Sequence, residues 1–97
     1  MRDSARFIYE EIDTERLRQE RLKSEGRFDF TCANIPSHAL ARSVLVEEVG
    51  EAARALMGQE GFVRDGGDLR KELIQIAAVT VAWIEKVDAE KGAGRDG

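Results

Sequence analysis

The run Asp68-Leu69-Arg70-Lys71-Glu72-Leu73-Ile74-Gln75-Ile76-Ala77-Ala78-Val79-Thr80-Val81-Ala82-Trp83-Ile84-Glu85-Lys86-Val87-Asp88 decides how this chain folds. Asp68 is a good N-cap residue, and a helix is expected from there to about Asp88. Leu69, Leu73, Ile76, Thr80, Ile84 and Val87 fall on one side of it, and Ile74, Ala77, Ala78, Val81 and Ala82 cover most of the other. A helix that is apolar almost all round must be surrounded. Two further helices from so short a chain cannot surround it, so other subunits are expected to complete the core. The fold class expected is all-α: a bundle of three main helices per chain, with the core completed by oligomerisation.

Working outward, residues 37 to 57 read as a second helix, with Ala41, Leu45, Val49, Ala52 and Leu56 on an apolar face widened by Leu40, Val44 and Ala53. Glu48 projects to the edge of that face beside Val44 and Ala41, with Glu51 one step further round and Glu47 further out. Gly50 sits mid-helix, where glycine costs about 1 kcal/mol relative to alanine, and marks a close approach by another helix or a ligand.

Residues 5 to 24 read as the first helix, with Ile8, Ile12 and Leu22 on one stripe. Glu15 and Gln19 interrupt that stripe. They mark either an exposed stretch beyond the partner helix or a polar cavity. Gly26 ends this helix and Pro36 precedes the next. Between them, Phe28 and Phe30 alternate with Asp29 and Thr31. These aromatics either plug the edge of a small core or stack on a nucleobase. His38 reads as polar surface near a helix start, and Cys32 as a small buried residue. Gly58 to Gly67 is a glycine-rich charged connector. One domain over 1–91 with a disordered tail over 92–97 is the expected organisation.

The totals narrow the function. The 97 residues carry a net charge of −4, which disfavours a nucleic-acid coat or a membrane-surface binder. A basic excess at Arg16, Arg18, Arg21, Lys23 and Arg27 reads as a solvated helix face, with attraction of phosphate as the alternative. One cysteine excludes an internal disulfide and one histidine excludes a His-cluster zinc site. No apolar run is long enough for a bilayer and no signal-peptide core is legible, so a cytoplasmic location is expected.

Carboxylates are seldom buried unless paired or bound to metal. Glu48 and Glu51, three apart, are neighbours on one helix, and Glu72 and Gln75 repeat that spacing on the next. Two antiparallel helices packed at about 8–10 Å would converge these four side chains on one point. Such hard oxygen donors suit Mg²⁺ or Mn²⁺, which keep some waters and bridge substrate phosphates. The bland alternative is a charged helix flank.

Glu47-Glu48-Val49-Gly50-Glu51 followed by Glu72-Leu73-Ile74-Gln75 resembles the EExxE…ExxD signature of the MazG-like all-α nucleoside triphosphate pyrophosphohydrolases. The similarity extends to Glu15-Arg16-Leu17-Arg18-Gln19, to the segment from Leu69 to Val79 and to Ala82-Trp83-Ile84-Glu85, and so covers about residues 8–88. It is greatest to the short phage and actinobacterial members. The resemblance implies a helical bundle assembled as a homodimer or a dimer of dimers, and Mg²⁺-dependent conversion of a (d)NTP to the monophosphate and pyrophosphate. It implies Glu48, Glu51 and Glu72 as metal ligands. Glu47 would orient or deprotonate the attacking water or hold a second metal. Gln75 stands where the family usually has Asp. Its amide oxygen can coordinate a cation but brings no charge, and the short members share it. Glu15 and Gln19 are candidate substrate-binding residues. Trp83, about three turns (roughly 16 Å) beyond Glu72, is expected in the core or a dimer interface. A non-catalytic helical oligomer with the same fold is the competing expectation.

Overall fold

A computed structural model describes residues 1–62 and 67–96, the last four as backbone only. Val63, Arg64, Asp65 and Gly66 of the glycine-rich connector, and Gly97, lie outside the described residues. Three helices follow one another: α1 (Asp3–Ser24), α2 (His38–Gln59) and α3 (Leu69–Asp96). The chain is thus all-α, as expected from its periodicity.

The boundaries have local causes. Gly26, at φ 77°, lets Arg27 N–H donate to the Leu22 carbonyl while its own N–H donates to Lys23, which closes α1. Gly61, at φ 85°, ends α2 in the same way, with Phe62 donating to Met57. The Ser37 hydroxyl accepts from Leu40 N–H to start α2. Asp68 does the same for α3, its carboxylate accepting from the Arg70 and Lys71 amides. The third helix runs past the expected end near Asp88 as far as Asp96. Gly92 and Gly94 lower helix propensity there but supply no steric stop.

α3 is the centre of the architecture. It packs against both α1 and α2, which among the described residues do not pack on each other. α2 and α3 run antiparallel: His38, at the start of α2, meets Trp83 and Glu90 late in α3, while the carboxylates of Glu51 and Glu72 converge at the other end. α1 is tied to α3 by a forked pair from Arg70 to Glu11, at 2.7 and 2.6 Å, and by Arg16. Arg16 is only 6% exposed. Its guanidinium donates to both oxygens of Glu85, to Glu20 and to Gln19, while Glu20 also accepts from the Thr31 hydroxyl. The expected solvated basic face is therefore wrong at this residue, because a guanidinium is accommodated in the interior when carboxylates and an amide oxygen satisfy it.

The interior is built from small residues. Ala41, Ala52, Ala55, Ala78 and Ala82 are buried where helices touch, and among the described residues Ile35 is the one large side chain that is fully buried. Cys32 and Ile35 of the connector join Ala41, Val79 and Ala82 in the core, with Phe30, Val44, Leu45 and Trp83 packed around them. The Phe28–Thr31 alternation forms no strand. Thr31 to Asn34 is instead a turn closed by the Asn34 amide and side-chain oxygen.

Large apolar side chains lie outside this core. The third side of α3 exposes Leu73 and Ile84 at 52% and 53%, and Val46, Val49, Leu56 and Met57 are exposed on α2. The buried stripe of α2 is therefore Ala41, Val44, Leu45, Glu48, Ala52 and Ala55, which puts Glu48 inside the contact rather than at its edge. Gly50 is exposed, and no atom of the described residues comes within 4 Å of the position of its missing Cβ. The close approach expected there does not occur among the described residues. The radius of gyration, 15.3 Å, exceeds the roughly 13 Å of a compact domain of this length. No helix of the described residues is long and apolar enough to cross a membrane.

Candidate metal and phosphate site

Because α1 and α2 straddle α3 without touching, a cleft of roughly 370 Å³ opens between them. Glu15, Arg18 and Gln19 line it from α1, Val44, Glu48 and Glu51 from α2, and Gln75 and Val79 from α3. The connector supplies Phe28, Phe30, Thr31 and Cys32. Its volume falls within the range of small-ligand sites.

At one end the carboxylates of Glu48, Glu51 and Glu72 meet, with one oxygen of each within 4.8 Å of the others. The 3-residue spacing puts Glu48 and Glu51 on one face of α2, and the antiparallel pairing brings the first turn of α3 alongside them. Glu72 Oε2 and Glu48 Oε2 are both buried and have no hydrogen-bond partner among the described residues. An orphaned buried oxygen costs about 1–3 kcal/mol, more when charged, so two in one cluster call for an explanation.

The electrostatics agree with that cost. Burial, followed by the charges of Glu51, Glu72, Glu47 and Glu15, pushes the Glu48 carboxyl up to about 7. Burial and the adjacent Glu51 carboxyl raise Glu72 as well. Both shifts have burial as their largest cause and the neighbouring carboxylates as the next, and both disfavour the charged form. A divalent ion would satisfy the orphaned oxygens and cancel the repulsion, and oxygen-only donors match Mg²⁺ or Mn²⁺.

The other expected residues take distinct places. Gln75 lines the same cleft as Glu48 and Glu51. Glu47 is exposed and outside the three-carboxylate cluster, although its charge reaches Glu48. Glu15 and Gln19 face the cleft, which settles the choice left open by their interruption of the α1 stripe in favour of a polar cavity. Gln19 bridges the two networks, donating to Glu15 and accepting from Arg16. Phe28 and Phe30 border the cleft, with Phe30 also packed against the core.

Arg18 was not singled out by the sequence. It forks onto Glu15, Nε to Oε1 at 2.7 Å and Nη2 to Oε2 at 2.9 Å. Burial pushes Glu15 up, but this fork, with the Gln19 amide and the Lys71 charge, leaves it below its ordinary value. The signal was present in the spacing: Arg18 lies three residues from Glu15, on the helix face that already held two unexplained polar groups. Comparison of the chain with protein-family models, with curated proteins and with solved structures gave no match.

Proposed function

We propose that this protein is a metal-dependent nucleotide pyrophosphohydrolase of the MazG-like type, converting a (d)NTP to the monophosphate and pyrophosphate. The observation that carries this reading is the pair of buried, unpartnered oxygens on Glu48 and Glu72, beside Glu51 and at the edge of an aromatic-lined cleft. Glu48, Glu51 and Glu72 would hold Mg²⁺ or Mn²⁺, with the Gln75 amide oxygen as a neutral fourth donor. A cation held there would supply positive charge against the charge that develops on the phosphates. Glu47, the exposed carboxylate next to the cluster, is the group for holding or deprotonating the attacking water. Phe28 and Phe30, which also line the cleft, offer ring surface for the base.

The working form is a homodimer or a dimer of dimers. Its support is the apolar third side of α3 and the Val46–Val49 side of α2, both left open by the chain's own packing, with Gly50 giving a second chain room for close approach.

The test is pyrophosphate release from a panel of (d)NTPs with and without Mg²⁺. Release that needs the metal and falls on the order of a hundredfold in Glu48→Gln and Glu51→Gln supports the enzyme. Release indifferent to chelator and to both substitutions overturns it. One feature favours a second reading, a non-catalytic nucleotide-binding module: with Gln75 in the fourth position the site carries one negative charge fewer. Metal and nucleotide binding without turnover would select that reading.

A further inference from the structure

We infer that Arg18, aimed by Glu15, is the phosphate-recognising residue of this cleft and grips the diphosphate end of a metal-bound ligand. This rests on the reading of Glu48, Glu51 and Glu72 as a metal site.

Among the described residues lining the cleft, Arg18 is the one cation, and Glu15, Glu48 and Glu51 line the cleft with it. A polyphosphate entering so acidic a cleft needs more positive charge than one divalent ion provides, because triphosphates carry about four negative charges and the carboxylates consume the ion's own. The other basic residues near the ligand helices are placed differently. Arg70 is committed to Glu11 on the outside of the α1–α3 contact. Lys71 is exposed and acts on Glu15 and Glu72 through its charge.

Arg18 is built to present a guanidinium rather than to hide one. Its partner Glu15 is the anchored end of the pair, with its side chain 12% exposed against 43% for Arg18. Gln19 donates to Glu15 from the next turn and is itself held by buried Arg16. The carboxylate is therefore fixed from two sides. The fork uses Nε–H and one hydrogen of Nη2, which leaves both hydrogens of Nη1 and the second of Nη2. Those remaining donors form the end-on edge of the guanidinium, the geometry that takes two phosphate oxygens at once. Arg18 lines the same cleft as Glu48 and Glu51, so this edge and two of the cluster's carboxylates border one ligand space. Glu15 is thus a positioning residue and Arg18 a binding residue.

Calorimetry on the full chain separates the two ideas, using Mg²⁺ alone and then inorganic pyrophosphate in saturating Mg²⁺. Arg18→Ala should bind Mg²⁺ as tightly as the wild type or more so, and lose pyrophosphate affinity roughly tenfold to a hundredfold. Arg18→Lys, which keeps the charge without the fork, should recover only part of the loss. Glu15→Gln should weaken pyrophosphate without weakening Mg²⁺, a split that a merely structural role would not produce. Circular dichroism checks that each variant folds. Pyrophosphate affinity unchanged in Arg18→Ala while Mg²⁺ still binds overturns this inference alone. Failure of the wild type to bind Mg²⁺ overturns the metal-site reading and this inference with it.

Discussion

The indole N–H of Trp83 donates to Nδ1 of His38 at 2.8 Å, and Nε2 of the same imidazole lies 2.8 Å from the Glu90 carboxylate. Indole can only donate, so Nδ1 accepts and the ring proton sits on Nε2, where Glu90 receives it. Lys86 holds the other oxygen of Glu90 at 2.9 Å. The start of α2 is thereby fastened to the second half of α3, at the opposite end of the helix pair from the three glutamates. This is the chain's one histidine and its one tryptophan, so the contact can be observed without interference.

The first prediction concerns that bond. Removing the imidazole in His38→Ala takes the acceptor from the Trp83 indole N–H, so Trp83 fluorescence emission should shift relative to the wild type. His38→Ala should cost about 1 kcal/mol in chemical denaturation, the usual net value of one hydrogen bond. Trp83 emission in His38→Ala identical to that of the wild type would refute the contact.

The second prediction follows from Glu48. Its carboxyl titrates near 7 in the folded chain against a reference of 4.5, so between those values the folded state holds a proton that the unfolded state has lost. Stability from this group is full below pH 4.5 and is lost as pH rises through 7, on the order of 2 kcal/mol after solvent screening. Glu72 contributes in the same direction. Melting temperature should thus fall from pH 5 to pH 8, Glu48→Gln should flatten the slope, and Mn²⁺ at pH 8 should restore stability.

Arg16 supplies the third. Truncation to alanine removes the buried guanidinium and leaves Glu85, Glu20 and Gln19 without their shared donor. Arg16→Ala should destabilise the fold by about 2–4 kcal/mol in urea unfolding, and Arg16→Lys should recover only part, since an ammonium cannot reproduce the fork to Glu85. Arg6, also on α1, makes an exposed ion pair with Asp3, and a loss no larger than that of Arg6→Ala would contradict the structural role assigned to Arg16.

Much of this architecture was readable in the sequence, and the failures have physical causes. Gly26 and Asp68 marked helix ends because only particular residues satisfy the groups freed there. The spacing of Glu48, Glu51 and Glu72 predicted their meeting because helical geometry is rigid. The buried face of α2 was harder to read. Val46, Val49 and Leu56 are as apolar as the residues that face α3, so periodicity alone cannot tell a face used within the chain from one left exposed. Small residues did the close packing instead, and alanine carries little weight in such patterns. Arg16, Arg18 and the His38–Trp83 contact escaped notice because their partners lie on other elements, or because a charged residue on a helix is ordinarily solvated.

A fourth prediction uses that exposed apolar surface. Sedimentation at micromolar concentration should show a dimer or tetramer, and Leu73→Glu with Ile84→Glu should shift it to monomer while leaving helicity unchanged, because both side chains are more than half exposed. A wild-type monomer would count against the oligomer.

The central claim is that Glu48, Glu51 and Glu72 hold one divalent cation. It is tested most directly by titrating Mn²⁺ into the full chain and following the free ion by electron paramagnetic resonance, for the wild type and for Glu48→Gln, Glu51→Gln and Glu72→Gln. The prediction is saturable binding of one ion per chain, weakened tenfold or more by each substitution. Binding that is absent in the wild type, or indifferent to all three substitutions, would contradict it.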